Sequence, residues 1–194
     1  MGAAAWHLSA RARQNLKRVS DARQATGDDI AALHALIESA YRGDRAKAGW
    51  THEADLLGGQ RTDIARLKDM VASDDQTILL TEQNGAPTGC VHLTIKRDGL
   101  AYLGLLTVSP HQQAAGLGRR LLDAAEDAAR GRGCDRIEMT VIAQRPELIA
   151  WYERRGYALT GERRPFPLDD PRYGLPRTRD LEFVVLAKLL RPSD

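Results

Sequence analysis

Between residues 77 and 108 the chain holds three short runs rich in apolar and β-branched residues, separated by the dipeptides Asn84-Gly85 and Asp98-Gly99. Both dipeptides suit the left-handed backbone of a two-residue hairpin turn, so the segment reads as three consecutive antiparallel strands, over 77–83, 88–97 and 101–108. Helical periodicity surrounds this meander. Ile30, Leu33, Leu36, Ile37 and Ala40 recur at helical spacing behind the acids Asp28 and Asp29, predicting a helix to Tyr41 that Gly43 ends. Ile64, Leu67 and Val71 predict a second helix over 62–72; Leu117, Leu121, Leu122, Ala125 and Ala129 predict a third over 117–130, closed by Gly131 and Gly133. A strand over 135–142, a helix over 146–155 with Pro146 in its first turn, and strands over 157–162 and 181–190 complete the order, preceded by a strand over 19–24.

A chain of 194 residues, 43% hydrophobic and with a net charge of +2, suits a single globular domain. Its longest apolar stretch, over 100–108, is about half the ~18 residues that a membrane helix needs, so no membrane span is expected. Cys90 and Cys134 stand far apart, form no Cys-x-x-Cys pair and have no His at metal-ligand spacing. Neither a disulfide framework nor a metal site is expected, and the cytoplasm is the default location. Charge is uneven: Arg11, Arg13, Lys17, Arg18 and Arg23 face Asp21 alone, leaving the rest of the chain at −2. We therefore expect a basic extension over 1–18, disordered or loosely helical rather than an import signal, then one domain over 19–190 and a tail over 191–194. A domain of net −2 without interleaved basic and aromatic residues argues against nucleic acid as a partner.

The stretch from Leu105 to Arg120 carries the chemistry. It is a strand, then a loop of small residues with Gly116 and Gly118, then a helix that opens with Arg119 and Arg120. The first N–H groups of a helix lack internal acceptors and carry a partial positive charge, so this is an anion site, where the glycines permit close approach of a phosphate. A P-loop would need Gly-Lys-Ser/Thr, and a dinucleotide fingerprint would need a third glycine where Leu121 stands. A tight turn with helix packing would explain the two glycines without a ligand.

In its context, however, Gln113-x-x-Gly116-x-Gly118 after Val108-Ser109-Pro110 resembles the acetyl-CoA motif Gln/Arg-x-x-Gly-x-Gly/Ala of the GCN5-related N-acetyltransferase (GNAT) superfamily. The order of elements resembles that family's as well, over roughly 19–190. The resemblance implies a mixed α/β (α+β) fold, a twisted, mainly antiparallel sheet with helices on both faces. It implies acetyl-CoA as co-substrate, its pyrophosphate held by backbone N–H groups of Gln113, Ala114, Ala115, Gly116, Leu117, Gly118 and Arg119. It also implies that the strand before the loop splays from its neighbour, so that Leu106, Thr107 and Val108 meet the pantetheine arm and the acetyl group as an added strand would.

A second signature, Tyr152-x-x-x-Gly156-Tyr157, is similar to the family's late helix, whose tyrosine protonates the departing thiolate in many members; Tyr152 is that position. A phenol with pKa near 10 is protonated at neutral pH and suits the role. One departure stands out: many relatives have Asn seven residues before the tyrosine, and this chain has Arg145. The base that deprotonates the incoming amine is open among Glu138, His92, His52 and Glu53. In the family, the segments around 41–61 and 165–176 usually choose the acceptor. Here Tyr41, Trp50, His52, Glu53, Phe166, Asp169, Asp170, Arg172 and Tyr173 could give a cleft with aromatic walls and acidic groups for a cationic amine. The expected activity is direct acetyl transfer to a primary amine of a small molecule, without a covalent intermediate on Cys90 or Cys134. A non-catalytic acyl-CoA-binding module and a protein lysine or N-terminal acetyltransferase are the alternatives. The resemblance also admits a homodimer.

Overall fold

The structure is a computed structural model in which residues 22–42, 46, 53–110, 112 and 116–190 are described; the basic extension expected over 1–18 and the tail over 191–194 lie outside them. The elements are β1 (Arg23–Gln24), α1 (Ile30–Tyr41), β2 (Leu57–Gly58), α2 (Ile64–Ala72), β3 (Gln76–Gln83), β4 (Ala86–Ile95) and β5 (Leu100–Val108). They continue with α3 (Leu117–Gly131), β6 (Arg136–Ile142), α4 (Pro146–Glu153), β7 (Ala158–Pro165), β8 (Leu175–Pro176) and β9 (Glu182–Leu189). Seven strands form one sheet in the order β1-β3-β4-β5-β6-β9-β7, antiparallel throughout except for β5 with β6. The meander forms as its turn dipeptides require, with Asn84, Gly85, Asp98 and Gly99 all at positive φ. A small ribbon of β2 and β8, absent from the sequence reading, is two residues long on each side and follows no alternation.

Helices cover both faces. On one, α1 and α2 bury Leu33, Ile37, Leu67 and Met70 against Ile78 and Leu80 of β3 and Cys90 of β4. On the other, Leu121, Leu122 and Ala125 of α3 pack on Leu79, Val91, Leu93 and Leu103, and the cluster runs on to Ile137, Met139 and Leu186. α3 is also tied electrically to the far half of the sheet. Its buried Glu126 accepts hydrogen bonds from Lys188 Nζ on β9 at 2.7 Å and from the Tyr157 hydroxyl at 3.1 Å.

Strand β5 is not regular. Cys90 pairs with Thr107 but His92 with Gly104, so β5 carries one residue more than β4 across that interval, a bulge at Leu105 and Leu106. Leu105 takes φ 49°, a left-handed backbone costly for a branched side chain. The extra residue shifts the alternation: Ala101 and Leu103 face the α3 core, Leu105 turns into the α1 core, and Val108 faces α3 again. Two adjacent leucines in an otherwise alternating run are the sequence trace of this slip.

α3 approaches the sheet closely at Gly89. A Cβ there would lie 2.7 Å from Leu121 Cδ1 and 2.9 Å from the Thr107 carbonyl oxygen. The leucine tip can move but the backbone oxygen cannot do so cheaply, so Gly89→Ala is expected to destabilise the fold by about 1–3 kcal/mol, read as a lower midpoint in urea unfolding.

Candidate functional site

β5 and β6 pair over Leu100↔Arg136, Ala101↔Ile137 and Tyr102↔Glu138, and then part. β5 stays with β4 out to Val108, and β6 stays with β9 out to Ile142. Between the diverging strands opens a cleft of about 550 Å³, lined by residues 103–106 on one side and 139–142 on the other. Near its apex the Tyr102 hydroxyl and Thr140 Oγ1 meet at 2.7 Å across the gap. Beyond the apex, β5 no longer has β6 as a backbone partner on that side, and the side chains of Tyr41 and Thr107 take over the carbonyls of Leu106 and Leu105.

Of the β5 residues expected at the site, Leu106 lines the cleft, and its carbonyl accepts the Tyr41 hydroxyl at 2.7 Å. Thr107 is fully buried, its Oγ1 donating to the Leu105 carbonyl at 2.9 Å, so its side chain braces the bulge. Val108 joins the α3 core and packs beside Gly118.

α3 begins where β5 ends. Gly116 precedes the helix at φ 72° and ψ 7°, and the N–H groups of Leu117, Gly118 and Arg119 have no acceptor within the helix. Leu117 turns its side chain into the core, while that of Arg119 is exposed, 3.8 Å from Asp123. A Cβ on Gly118 would meet the Trp151 ring at 3.5 Å and Val108 at 3.6 Å, so α4 flanks this helix start. The Arg155 guanidinium stacks 3.5 Å from the centre of the Trp151 ring. Burial above all, with Arg154 and Arg119 adding to it and Asp123 and Tyr152 opposing, lowers the Arg155 pKa. Arg155 is a feature that sequence reasoning missed, since nothing in its spacing shows that it folds back over Trp151. Gln113, Ala114 and Ala115 lie outside the described residues.

Tyr152 comes off α4 into the same cleft, edge-on to Trp151 at 5.0 Å and to Tyr157 at 5.7 Å. Its hydroxyl makes no hydrogen bond among the described residues. Burial raises its pKa well above the ordinary phenol value, Tyr41 pushes the same way, and Arg145 and Arg155 oppose; the group keeps its proton at neutral pH.

The opposite end of the cleft is walled by Tyr41, Phe166 and Tyr173, as the sequence reading expects, but the expected acidic groups are differently placed. Asp169 and Asp170 do not line it: Asp170 is occupied by Arg172 at 2.6 Å and accepts from that residue's N–H. Glu53 does line it, with Arg42 at 2.8 Å, Arg145 at 3.7 Å and Arg61 at 3.8 Å. Trp50 and His52 lie outside the described residues. Arg145, the departure from the family pattern, thus turns toward Glu53.

A model of the acetyltransferase (GNAT) family matches residues 31–157. The chain belongs to that family. The uncharacterized N-acetyltransferase YhfO of Bacillus subtilis is 30% identical over 140 residues, which cover 70% of this chain and 87% of that protein. The IAA acetyltransferase of Azospirillum brasilense is 27% identical over 157 residues, 79% of this chain and 94% of that one. Among solved structures, yncA of Salmonella typhimurium with its cofactor acetyl-CoA superposes at a TM-score of 0.65 and 21% identity, over 89% of this chain and 95% of that chain. The protein is an acetyl-CoA-dependent N-acetyltransferase with the GNAT fold. Its residues fit the cofactor: β5 runs on past its pairing with β6 beside the cleft, and α3 starts beyond it, where a Cβ on Gly116 would meet no described atom.

Family membership turns the open base into a structural question. Glu53 is bound up in ion pairs: burial alone would raise its pKa, but Arg61, Arg42 and Arg145 together hold it below the ordinary value, which makes it a weak base. Glu138 is not a lining residue and sits 3.6 Å from Arg164. His92 lines the cleft, its Nε2 2.9 Å from Gln76 Oε1 and its Nδ1 toward Gly104. Burial, with help from Arg66 and Lys96 and against Asp75, lowers its pKa to about 4, so the ring is neutral at pH 7. Cys90 stays a thiol, pushed up to about 12 by burial despite a hydrogen bond with Thr107, which agrees with transfer without a cysteine intermediate.

The histidine gives a prediction with a definite sign. The unfolded chain protonates it near its ordinary 6.5 and the folded chain near 4, so between these values the unfolded state binds more protons. Stability relative to a His92→Gln variant is expected to be fully present above pH 6.5 and to fall by up to about 3 kcal/mol as the pH drops to 4. Urea titrations of both proteins across that range measure it; parallel curves would show a solvated ring.

Proposed function

We propose that the enzyme moves acetyl from acetyl-CoA to the primary amine of a small molecule by direct attack. The observation that carries this reading is the wedge between β5 and β6, lined by Tyr152 and by Tyr41, Phe166 and Tyr173, with α3 starting beyond the end of β5. Acetyl-CoA supplies an acetyl thioester already activated toward an amine. The chain's contribution is to bind and align it. The N–H groups at the start of α3, with Arg119 and Arg155 close by, would receive the pyrophosphate. The stretch of β5 beyond its last pair with β6 would lie along the pantetheine arm as a strand lies beside another. Tyr152 holds a proton where sulfur would leave, and hands it over as the new C–N bond replaces C–S. With Glu53 and His92 both held at low pKa values, neither is assigned as the base, and the proton that the amine sheds leaves to solvent water. A cleft of about 550 Å³ supports a small acceptor over an extended peptide.

Two variants test the reading. Gly118→Glu puts a carboxylate at the proposed pyrophosphate site, and since the new Cβ meets only ordinary contacts the fold should persist. Calorimetric titration is expected to show acetyl-CoA and CoA binding weakened at least about a hundredfold by like charge, with ATP and NAD binding neither protein. Tyr152→Phe should lower turnover about a hundredfold with acetyl-CoA affinity little changed, and unchanged turnover would remove the general-acid role.

A further inference from the structure

The acceptor end of the cleft carries more positive charge than it neutralises. Three guanidiniums surround the single carboxylate of Glu53, but only Arg42 bonds it closely, with Nη1 2.8 Å from Oε2. Arg42 is otherwise directed at backbone, 3.4 Å from the Tyr41 carbonyl and 3.5 Å from that of Tyr173. Arg61 and Arg145 stand at 3.8 and 3.7 Å, close enough for attraction and too far for a hydrogen bond. Neither guanidinium donates a hydrogen bond among the described residues, although each carries five N–H groups. The Arg145 side chain is only 8% exposed, and Arg61 Nε is buried without a hydrogen-bond partner. Both residues line the cleft.

Leaving guanidinium donors unsatisfied out of water is costly, and an anion offering two oxygens in a plane would relieve it. The remaining lining charges do not supply that anion. Asp69 and Asp75 are exposed and lie with Arg66 and Lys96, whose charges offset theirs. Nor do the cofactor's phosphates explain it, since the anion site proposed for them is the start of α3.

The unmatched charge sits near the reacting centre. The Arg61 guanidinium carbon is 5.1 Å from the centre of the Tyr41 ring, and that ring's hydroxyl is 2.7 Å from the Leu106 carbonyl on the free strand edge. One aromatic side chain therefore separates the cation from the strand along which the acetyl group would lie. We propose that the acceptor amine carries a carboxylate, received by Arg61 and Arg145, with Glu53, itself fixed by Arg42, holding the two guanidiniums in place. The substrate class is a small amino acid-like molecule. This rests on the acetyl-transfer reading and narrows it.

The test compares L-amino acids with their carboxamides, which keep the amine and lose only the charge. Acetyl-CoA binding, measured first by calorimetry, examines the underlying reading on its own. With binding established, CoA release is expected to favour at least one acid over its carboxamide by about a hundredfold in kcat/KM. Arg61→Gln and Arg145→Gln should abolish that preference, mainly through KM for the acid, while acetyl-CoA affinity holds. Carboxamides used as well as acids, or a preference kept in both variants, would overturn the proposal. So would variants that weaken acetyl-CoA instead, since the charge would then serve the cofactor. If acetyl-CoA binds and nothing is acetylated, calorimetric titration of the same acids into the CoA-saturated protein decides: binding lost in Arg61→Gln supports the site, and no binding refutes it. If acetyl-CoA does not bind, the transfer reading fails, and the same titration into the free protein still tests the carboxylate site by itself.

Discussion

Everything that makes this sheet a site follows from two strands ceasing to pair. Parallel β5 and β6 share three residue pairs and then follow different neighbours, β4 on one side and β9 on the other. A sheet that splits loses backbone hydrogen bonds, and a dry gap with unpaired N–H and C=O groups would not persist without a partner for them. The bulge at Leu105 lies on the splitting strand, just past the last shared pair. Its left-handed residue is held by packing against the α1 core and by Thr107 Oγ1 on its carbonyl. Local strain is thus borne by the surrounding core.

Electrostatics differs between the two ends of the cleft. At the start of α3 the positive potential comes from aligned peptide groups reinforced by Arg119 and Arg155, a diffuse field suited to a doubly charged pyrophosphate. At the other end it comes from discrete guanidiniums packed around Glu53. Tyr152 lies between them, its hydroxyl kept neutral by burial. The walls of the cleft mix apolar side chains such as Leu103, Leu106, Val141 and Ile142 with polar ones such as Gln76, His92 and Thr140.

Much of this is legible in the chain, for identifiable reasons. Asn84-Gly85 and Asp98-Gly99 specify turns through backbone conformation alone, so the meander follows without knowledge of the rest. The stripe on α3 and Gly116 before it place the start of that helix, because the pattern of a helix and its first residue is local. Less legible are features that depend on distant residues meeting. Glu53 reads as a free acid and a possible base until Arg42, Arg61 and Arg145 converge on it from a helix end, a loop and the residue before α4. Asp169 and Asp170 read as cleft acids, but Arg172, two residues beyond Asp170, occupies that carboxylate. The ribbon of β2 and β8 is too short to show a period. The bulge did leave a trace, the Leu105-Leu106 doublet, visible only to a reader who expects strict alternation.

The tie between Glu126 and Lys188 acquires a mechanical meaning in this light. With only three pairs joining the strands at the apex, the two halves of the sheet resemble the arms of a clip whose spring is thin. α3 packs across one arm, and its buried carboxylate grips β9 on the other through the Lys188 ammonium and the neighbouring Tyr157 hydroxyl. That grip lies behind the gap, on the face away from α1, and so acts as a strut that limits how far the arms can spread. The aperture presented to a ligand is therefore governed in part by a salt link that no ligand touches.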